Sequence, residues 1–254
     1  MPLAIRWLIG FLLTLVAILV FLVYRFVGIG LVELTLDSSM IDEPLLVVRL
    51  DGLSNTNRSN AYIRDFLRPR DSLLVQEGAS RVFFGITDVV ANGPDHFQRN
   101  LVSIHSIPKG RIFTDLTTSQ EYIVLENGVA EVLQFRTEFV GHFPDAIEFS
   151  RENVLLLATL HGDSETDFLK MLELSLRNQK GEIVYSAEPI FLGSTVPTRF
   201  NHFVILGFES KSLVNSWFLS TNRKSLFATE SSEINRLVMF SITRISPTRS
   251  ELSR

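Results

Sequence analysis

The side chains best suited to acid–base chemistry in this sequence are five histidines, which stand singly at positions 96, 105, 142, 161 and 202. Imidazole titrates near neutral pH and can act as a general base or bind a haem iron. His105 falls within a predicted strand and His161 ends another, so these two are the candidate catalytic histidines. Neither has a carboxylate or a second histidine at a metal-ligand spacing, which favours a structural role. His96 and His202 precede strands and are expected to face water.

Four other side chains are candidates by type. Tyr122 could place its hydroxyl in a cleft between a helix and the sheet, so it joins the catalytic candidates. The candidate ligand-binding residues are Trp217, Ser119 and Ser220. A large aromatic side chain on an amphipathic helix is typical of a core, and a serine there is typical of a cap. These three positions therefore also have an ordinary structural interpretation.

Composition excludes several kinds of site. The chain has no cysteine, which removes disulfides, thiolate metal sites and cysteine nucleophiles. Its net charge of −4 disfavours nucleic acid as a partner. The series Asp163, Glu165, Asp167 resembles the start of a calcium loop but lacks the required later glycine and glutamate, which indicates an acidic helix start. We therefore predict no metal and no cofactor, with haem as the one cofactor to consider.

One apolar segment explains the mean hydropathy of +0.22. The run Trp7–Tyr24 has no charged residue and lies between Arg6 and Arg25. Eighteen helical residues cover about 27 Å, close to the thickness of a bilayer core. Because no small-residue cleavage pattern follows, a retained single-pass anchor is favoured over a cleaved signal peptide. Arg6 and the amino terminus favour a cytoplasmic start, which places the large carboxyl-terminal domain outside the cytoplasm, in the periplasm of a bacterium.

Two similar halves follow the anchor. Leu45–Leu50 and Val154–Leu160 are matching apolar runs, and each precedes a helical pattern, two strands, a second helix and a last strand. Both halves therefore read β-α-β-β-α-β, the order of a ferredoxin-like unit. The first helix of the first half is expected to be short, bent or restarted at Pro69. Two such units can cover each other's bare sheet faces, so we predict an α+β fold, a pseudo-dimeric α/β barrel.

The resulting plan assigns every part of the chain. It comprises a transmembrane anchor (1–30), a linker (31–44), a first repeat (45–140), a second linker (141–152), a second repeat (153–244) and a tail (245–254). After the first strand of each half, the predicted strands are 81–90, 101–107 and 131–139 in the first half and 182–191, 203–208 and 236–243 in the second. The predicted second helices are 109–127 and 210–230.

The segments around the second helices resemble a known family. Phe208-Glu209-Ser210 is followed by Trp217 and Ser220, and Ile107-Pro108 is followed at the same offsets by Leu116 and Ser119-Gln120-Glu121-Tyr122. These look like two degenerate copies of Phe-Pro-Ser…Trp-x-x-Ser-Pro-Glu-Tyr, the signature of a small family of unknown function in the dimeric α/β-barrel superfamily. The second copy departs from it at Asn222 and Arg223. The resemblance implies the barrel fold, with internal duplication in place of a homodimer, and names no reaction.

Two functions are compatible with these patterns. The first is a non-catalytic, membrane-anchored module that binds a small apolar ligand or a protein partner, because no constellation of catalytic groups is visible. The alternative is a cofactor-free oxygenase or a haem-linked enzyme of the same superfamily, with a pocket that uses His105, His161 or Tyr122.

Overall fold

The structure is a computed structural model that describes nine ranges of the chain: 14–16, 40–53, 63–91, 101–130, 133–143, 153–159, 165–194, 202–220 and 238–244. The chain divides into two compact units, residues 1–34 and residues 35–254. Of the predicted anchor, only Thr14–Val16 are among the described residues, and they are helical. Within the described ranges, no helix is both long and apolar enough to cross a membrane.

The larger unit contains nine strands and five α-helices in its described part. The strands are β1 (Leu45–Leu53), β2 (Ser80–Ala91), β3 (Leu101–Ile107), β4 (Leu133–His142), β5 (Asn153–Thr159), β6 (Gly181–Ala187), β7 (Phe191–Ser194), β8 (His202–Phe208) and β9 (Val238–Arg244). The helices are α1 (Arg68–Gln76), α2 (Gly110–Thr118), α3 (Gln120–Ala130), α4 (Glu165–Arg177) and α5 (Lys211–Leu219). A π-helical turn, Ile63–Leu67, leads directly into α1.

Two helix breaks have local causes. The helix restarts at Arg68, and Pro69 stands in its first turn, where a missing N–H costs least. The predicted helix 109–127 is instead two helices, because Ser119 adopts an extended conformation (φ −68°, ψ 142°) that ends α2 before α3 begins. As a result, α2 and α3 are two separate short helices.

All nine strands belong to one antiparallel sheet with the order β6-β8-β5-β9-β2-β3-β1-β4-β7. Four strands, β1 to β4, form what we call the first block, in which β1 lies between β3 and β4, and β2 flanks β3. The strands β5, β6, β8 and β9 form the second block, in which β5 lies between β8 and β9, and β6 flanks β8. The two blocks thus share one strand order, and the pairing of β2 with β9 joins them. This α+β arrangement is the one the sequence predicts.

The sheet curves until its two ends come together. β6 and β7 stand at opposite ends of the strand order, yet only three residues separate them. Four Cα-to-Cα steps reach about 14 Å at most, so the two ends must be close in space. Pro189 lies in this crossing and cannot donate to a strand ladder, which explains why the predicted strand 182–191 is two strands. The Ile190 N–H donates to the Val140 carbonyl at 2.7 Å, and the Tyr185 hydroxyl donates to the His142 carbonyl.

The inner face of this curved sheet carries a continuous apolar core. Alternate residues of β1 point into it, and the other block contributes aromatic rings at tilted contacts, with Phe139 and Phe203 centroids 5.1 Å apart. The core residues are Leu46, Val48, Leu50, Phe83, Val102, Ile104, Phe139, Phe143, Tyr185, Phe203 and Ile205. The two blocks therefore cover each other's inner faces.

Helices cover the outer face of each block, and the side chains between helices and sheet differ in polarity between the two blocks. Under α4 and α5 the outer face is apolar, and its buried residues are Phe168, Leu172, Leu176, Val204, Leu206, Phe208, Val214 and Trp217. Under α1 and α3 it is largely charged. His202, which we expected to face water, begins β8 and is only 2 % exposed, with its Nε2 2.8 Å from the Ser186 hydroxyl.

The contact that joins β6 to β4 makes a testable prediction about stability. A Cβ at Gly141 would collide with the Tyr185 hydroxyl and approach the Phe203 ring to 3.2 Å. We expect Gly141→Ala to lower the free energy of unfolding by about 2–3 kcal/mol and Tyr185→Phe to lower it by about 1 kcal/mol. Because Tyr185→Phe removes the colliding oxygen, the double variant should lose clearly less than the sum, measured by urea unfolding of the full chain. Additive losses would mean that the two residues are not in contact.

Candidate functional site

The charged residues under α1 and α3 come from strands that pair in register. Arg49 and Asp51 occupy alternate positions of β1 and therefore share the outer face. Arg49 lies opposite Glu138 of β4, and Asp51 lies opposite Arg136. The strand pairing alone thus places two pairs of opposite charges next to each other on the outer face. Positions that face a helix are usually occupied by apolar residues.

Arg49 is the best-connected member of the group. Its Nε donates to Glu138, its Nη1 to Glu126 Oε1 at 3.3 Å, and its Nη2 to the hydroxyl of Tyr122. Burial lowers the pKa of Arg49, but the Glu138 carboxylate and its other neighbours more than offset this, so the pKa is raised. Arg49 is therefore a buried side chain that stays positively charged and contacts three other side chains.

Asp51 and Glu126 are joined by Arg136, whose Nε donates to Asp51 Oδ1 at 2.7 Å and whose Nη1 donates to Glu126. A second guanidinium, that of Arg70, has its Nη1 3.6 Å from Asp51 Oδ2. Burial raises the pKa of each carboxyl, yet Arg136, and then Arg70 at Asp51 and Arg49 at Glu126, lower both below their ordinary range. Both groups are thus ionised at neutral pH.

A histidine–aspartate pair lies beside this network. His105 Nε2 is 3.0 Å from Asp71 Oδ1, and the other oxygen of Asp71 accepts from Arg81 Nη1 at 2.6 Å. Burial raises the pKa of Asp71, but the hydrogen bond from His105 and nearby positive charges lower it overall. Burial, together with Arg70 and Arg49, lowers the pKa of His105 more than Asp71 raises it. At neutral pH the pair therefore consists of a carboxylate and a neutral imidazole.

The protonation of His105 follows from its partner. An ionised carboxylate can only accept, so the single ring hydrogen must be on Nε2, and Nδ1 keeps a lone pair. Nδ1 is buried and has no hydrogen-bond partner among the described residues, and His105 as a whole is 1 % exposed. The result is a basic nitrogen whose tautomer is set by a carboxylate, which is the arrangement of a general base.

We call these residues the charged layer, with Arg81 at its rim. Its members are Arg49, Asp51, Arg70, Asp71, His105, Tyr122, Glu126, Arg136 and Glu138. With the rim included, four guanidinium groups meet four carboxylates within ion-pair distance. The charged layer is therefore close to neutral overall, as burial of so many charges requires.

The structure brings two of the predicted catalytic residues into this layer. His105 and Tyr122 both belong to it, although each has its own partner and no hydrogen bond is recorded between them. Burial raises the pKa of Tyr122, so its hydroxyl stays protonated. His161 lies outside the described residues.

The predicted ligand-binding residues lie elsewhere. Trp217 is fully buried in the apolar cluster of the second block, where its indole Nε1 donates to the Ser175 hydroxyl at 3.0 Å. Ser119 and Ser220 follow the last residues of α2 and α5. The Ser119 hydroxyl accepts from the Tyr122 N–H at 3.2 Å, and the Ser220 hydroxyl donates to the Trp217 carbonyl at 2.7 Å. In the part of the chain that the structure describes, no three His, Asp or Glu side chains are grouped to hold a metal.

Sequence reasoning missed most of the charged layer. The overlooked residues are Arg49, Asp51, Arg70, Asp71, Glu126, Arg136 and Glu138. A usable signal exists at Arg49 and Asp51, because two charges at alternate positions within an apolar strand must share one face. Arg136 and Glu138 repeat this pattern in β4.

The outer face of the second block shows what the charged layer replaces. β3 and β8 have equal length and equivalent places in the strand order. Ser103 and His105 hold the third and fifth positions of β3, whereas Val204 and Leu206 hold those positions in β8. At the fifth position of this strand, the first block therefore has an imidazole where the second has an aliphatic side chain.

The fold has counterparts among solved structures. An anthrone oxidase-like protein superposes with a TM-score of 0.54 at 8 % identity, over 81 % of this chain and 92 % of its own. A putative monooxygenase from Lactobacillus acidophilus NCFM gives 0.44 at 12 % identity, over 80 % and 94 %. A chlorite dismutase from Candidatus Nitrospira defluvii gives 0.45 at 8 % identity, over 81 % and 92 %. The likeness is one of fold. The superposition with a TM-score of 0.54 agrees with the α+β barrel fold predicted from the sequence.

No family model and no curated protein sequence matches the chain. The reaction must therefore be argued from the residues themselves.

The ion pairs of the charged layer predict a stability effect that depends on pH. We expect Glu126→Gln to lower the free energy of unfolding at pH 7 by about 3 kcal/mol, because Arg49 and Arg136 lose a charged partner while buried. Glu121→Gln on the same helix is the control, since Glu121 is exposed, and it should change stability by less than about 0.5 kcal/mol.

The pH dependence has a definite sign. The folded-state pKa values of Asp51 and Glu126 lie below their unfolded values, so this stabilisation is complete above the ordinary carboxyl range and is lost as pH falls below it. Glu126→Gln should therefore have a flatter loss of stability between about pH 5 and pH 2 than the unchanged protein. Parallel curves for the two proteins would contradict the ion-pair assignment.

Proposed function

We propose that this protein is an enzyme of the cofactor-free oxygenase kind, in which His105 takes a proton from a small, largely apolar substrate. The observation that carries the proposal is the buried Nδ1 lone pair of His105, on an imidazole whose other nitrogen is held by Asp71. Buried ring nitrogens in folded proteins usually have a hydrogen-bond partner, either a protein group or an ordered water.

The surroundings of His105 suit reversible proton uptake. Burial, and after it Arg70 and Arg49, lower the pKa of His105, so the resting imidazole is neutral and able to accept. When Nδ1 receives a proton, the imidazolium that forms is next to the Asp71 carboxylate, which stabilises it. Arg81 in turn fixes the position of Asp71. Asp71 is therefore a positioning residue for the base.

The proposed step is a proton transfer. The substrate gives a proton from a C–H or O–H bond to Nδ1 and keeps the electron pair as an anion. In an oxygenase without a cofactor, dioxygen is the oxidant of that anion. Support for this class comes from the solved structure with a TM-score of 0.54, which is described as an anthrone oxidase-like protein. His105 is not available to bind a haem iron through Nε2, because that nitrogen contacts Asp71.

A non-catalytic binding module is the second candidate. The charged layer favours it, because its cations and carboxylates already satisfy one another, as in a structural network. In this function the barrel would bind a small apolar ligand or a protein partner. The two candidates differ in whether replacing His105 changes a reaction rate.

The proposal also covers the internal duplication of the chain and its location at a membrane. We propose that the two blocks are copies of one ferredoxin-like unit, of which the first retains the reactive residues. Equal strand order and the extended serines after α2 and α5 support this. We also propose that residues 7–24 anchor the protein in a bilayer with the barrel outside the cytoplasm, which the uncharged run between Arg6 and Arg25 supports.

The base assignment predicts the kinetics of variants. With a panel of hydroxylated aromatic compounds and an oxygen electrode, we expect the unchanged protein to consume dioxygen with at least one of them. His105→Gln should lower kcat/KM by about 10²–10⁴-fold, the usual contribution of a general base. His142→Gln is the matched control because His142 is exposed. Since the pKa of His105 is lowered, the rate should be flat near pH 7 and fall only below the ordinary histidine range.

Two outcomes would decide against this function. Equal rates for His105→Gln and the unchanged protein would remove His105 as the base. Absence of dioxygen consumption with every compound, together with retained binding, would favour the non-catalytic candidate.

The anchor predicts the side of the membrane on which the barrel lies. Alkaline phosphatase fused after Arg254 should be active in a bacterial host, because that reporter needs the oxidising compartment outside the cytoplasm. The same fusion to a chain that begins at Glu43 should be inactive and should fractionate away from membranes. A fusion that is active only with a cytosolic reporter would reverse the orientation, and a full chain that stays out of membranes would remove the anchor.

A further inference from the structure

Arg70 and His105 of the charged layer have buried polar atoms with no hydrogen-bond partner among the described residues, namely Nε and Nη1 of Arg70 and Nδ1 of His105. Arg70 and His105 are both almost fully buried, with side-chain exposures of 2 %. Nearly all buried donors and acceptors in folded proteins are satisfied, so unpaired ones indicate an absent partner. Here the set contains N–H donors and one basic nitrogen.

The two side chains are held next to each other by independent contacts. Arg70 Nη2 donates to the Ser103 hydroxyl at 3.3 Å, and Ser103 and His105 are alternate residues on the outer face of β3, about 7 Å apart along the strand. Asp71 follows Arg70 in α1 and contacts His105 Nε2. The guanidinium and the imidazole therefore share one part of the layer between α1 and β3.

We propose that Arg70 and His105 together bind an acidic hydroxyl group of the substrate, so that the ligand class is a phenol or an enol. The hydroxyl oxygen accepts from Arg70, and its hydrogen is donated to His105 Nδ1. Proton transfer then breaks the O–H bond and forms the Nδ1–H bond. The oxyanion that remains is stabilised by the Arg70 cation, and the imidazolium by Asp71.

This inference rests on the proposed function for the identity of the base, and it adds the group that the base acts on. It explains why Arg70, whose Nε and Nη1 have no hydrogen-bond acceptor among the described residues, shares this part of the layer with His105 Nδ1. A proton acceptor alone does not require the arginine. Val204 and Leu206 replace Ser103 and His105 in the second block, so the proposal assigns one such site to each chain.

The test uses three compounds that share one ring system. They are 2-naphthol, which has a donating hydroxyl, 2-methoxynaphthalene, which has an oxygen without a hydrogen, and naphthalene, which has no oxygen. Full-length protein in detergent micelles is labelled with ¹⁵N-histidine, and the His105 resonances are assigned with His105→Gln. We expect 2-naphthol alone to move the Nδ1 resonance of His105, with a stoichiometry of one per chain.

Two variants of α1 separate the arginine from general effects of charge. Arg70→Met should weaken 2-naphthol binding by about tenfold or more, the usual effect of losing a hydrogen bond from a charged group. Arg68→Met is the matched control, because Arg68 is exposed on the same helix, and it should bind 2-naphthol unchanged. If Arg70→Met does not fold, Arg70→Lys takes its place, and the comparison of the three compounds with unchanged protein decides on its own.

Several results would overturn the inference. Equal binding of naphthalene and 2-naphthol would show that the hydroxyl is not recognised. Unchanged binding in Arg70→Met would remove the arginine, and an Nδ1 resonance that no compound moves would mean that the unpaired atoms serve bound water. Binding of 2-naphthol without any dioxygen consumption would leave this site standing and would instead overturn the oxygenase proposal.

Discussion

Burial of charge between the sheet and its helices is the constraint on which the first half of this molecule depends. A buried ion without a partner costs several kcal/mol, so each member of the charged layer must meet an opposite charge. Arg49 illustrates the consequence, because it contacts two carboxylates and a tyrosine hydroxyl from β4 and α3. A shift of β4 by one residue would turn Arg136 and Glu138 to the inner face, into the apolar core. The ion pairs therefore specify the strand register as well as the position of α3.

The described residues of the second half solve the same packing problem with apolar side chains. Its outer face uses aliphatic and aromatic side chains, with Trp217 at the centre and a single hydrogen bond from the indole to Ser175. Apolar contacts are non-directional and tolerate changes of shape, whereas ion pairs need particular partners at particular places. Replacement of the charged layer by such a core would be compatible with the fold. The need to cover the sheet therefore does not by itself require a charged layer.

The sequence predicted more of the fold than of the site. Hydrophobic periodicity and the matching runs at Leu45–Leu50 and Val154–Leu160 were enough for the element order and the α+β class, because these depend on local patterns. The ion pairs of Arg49 join residues up to 89 positions apart, and nothing local distinguishes Glu138 from a surface glutamate. The alternations of Arg49 with Asp51 and of Arg136 with Glu138 could have indicated a charged face, but not which residues pair across it. His105 and Tyr122 were selected by residue type, and the partners that give them a chemical state came from the tertiary structure.

The near neutrality of the charged layer also limits what chemistry can occur in it. Four cations and four carboxylates already balance, so an added proton on His105 would leave an uncompensated positive charge close to Arg70. Such a charge is costly unless a negative charge appears with it. Proton transfer from a bound neutral molecule meets this condition, because the anion and the imidazolium form together and the total charge of the layer does not change. Uptake of a proton from solvent does not meet it, which makes His105 better suited to act on a substrate than to sense pH.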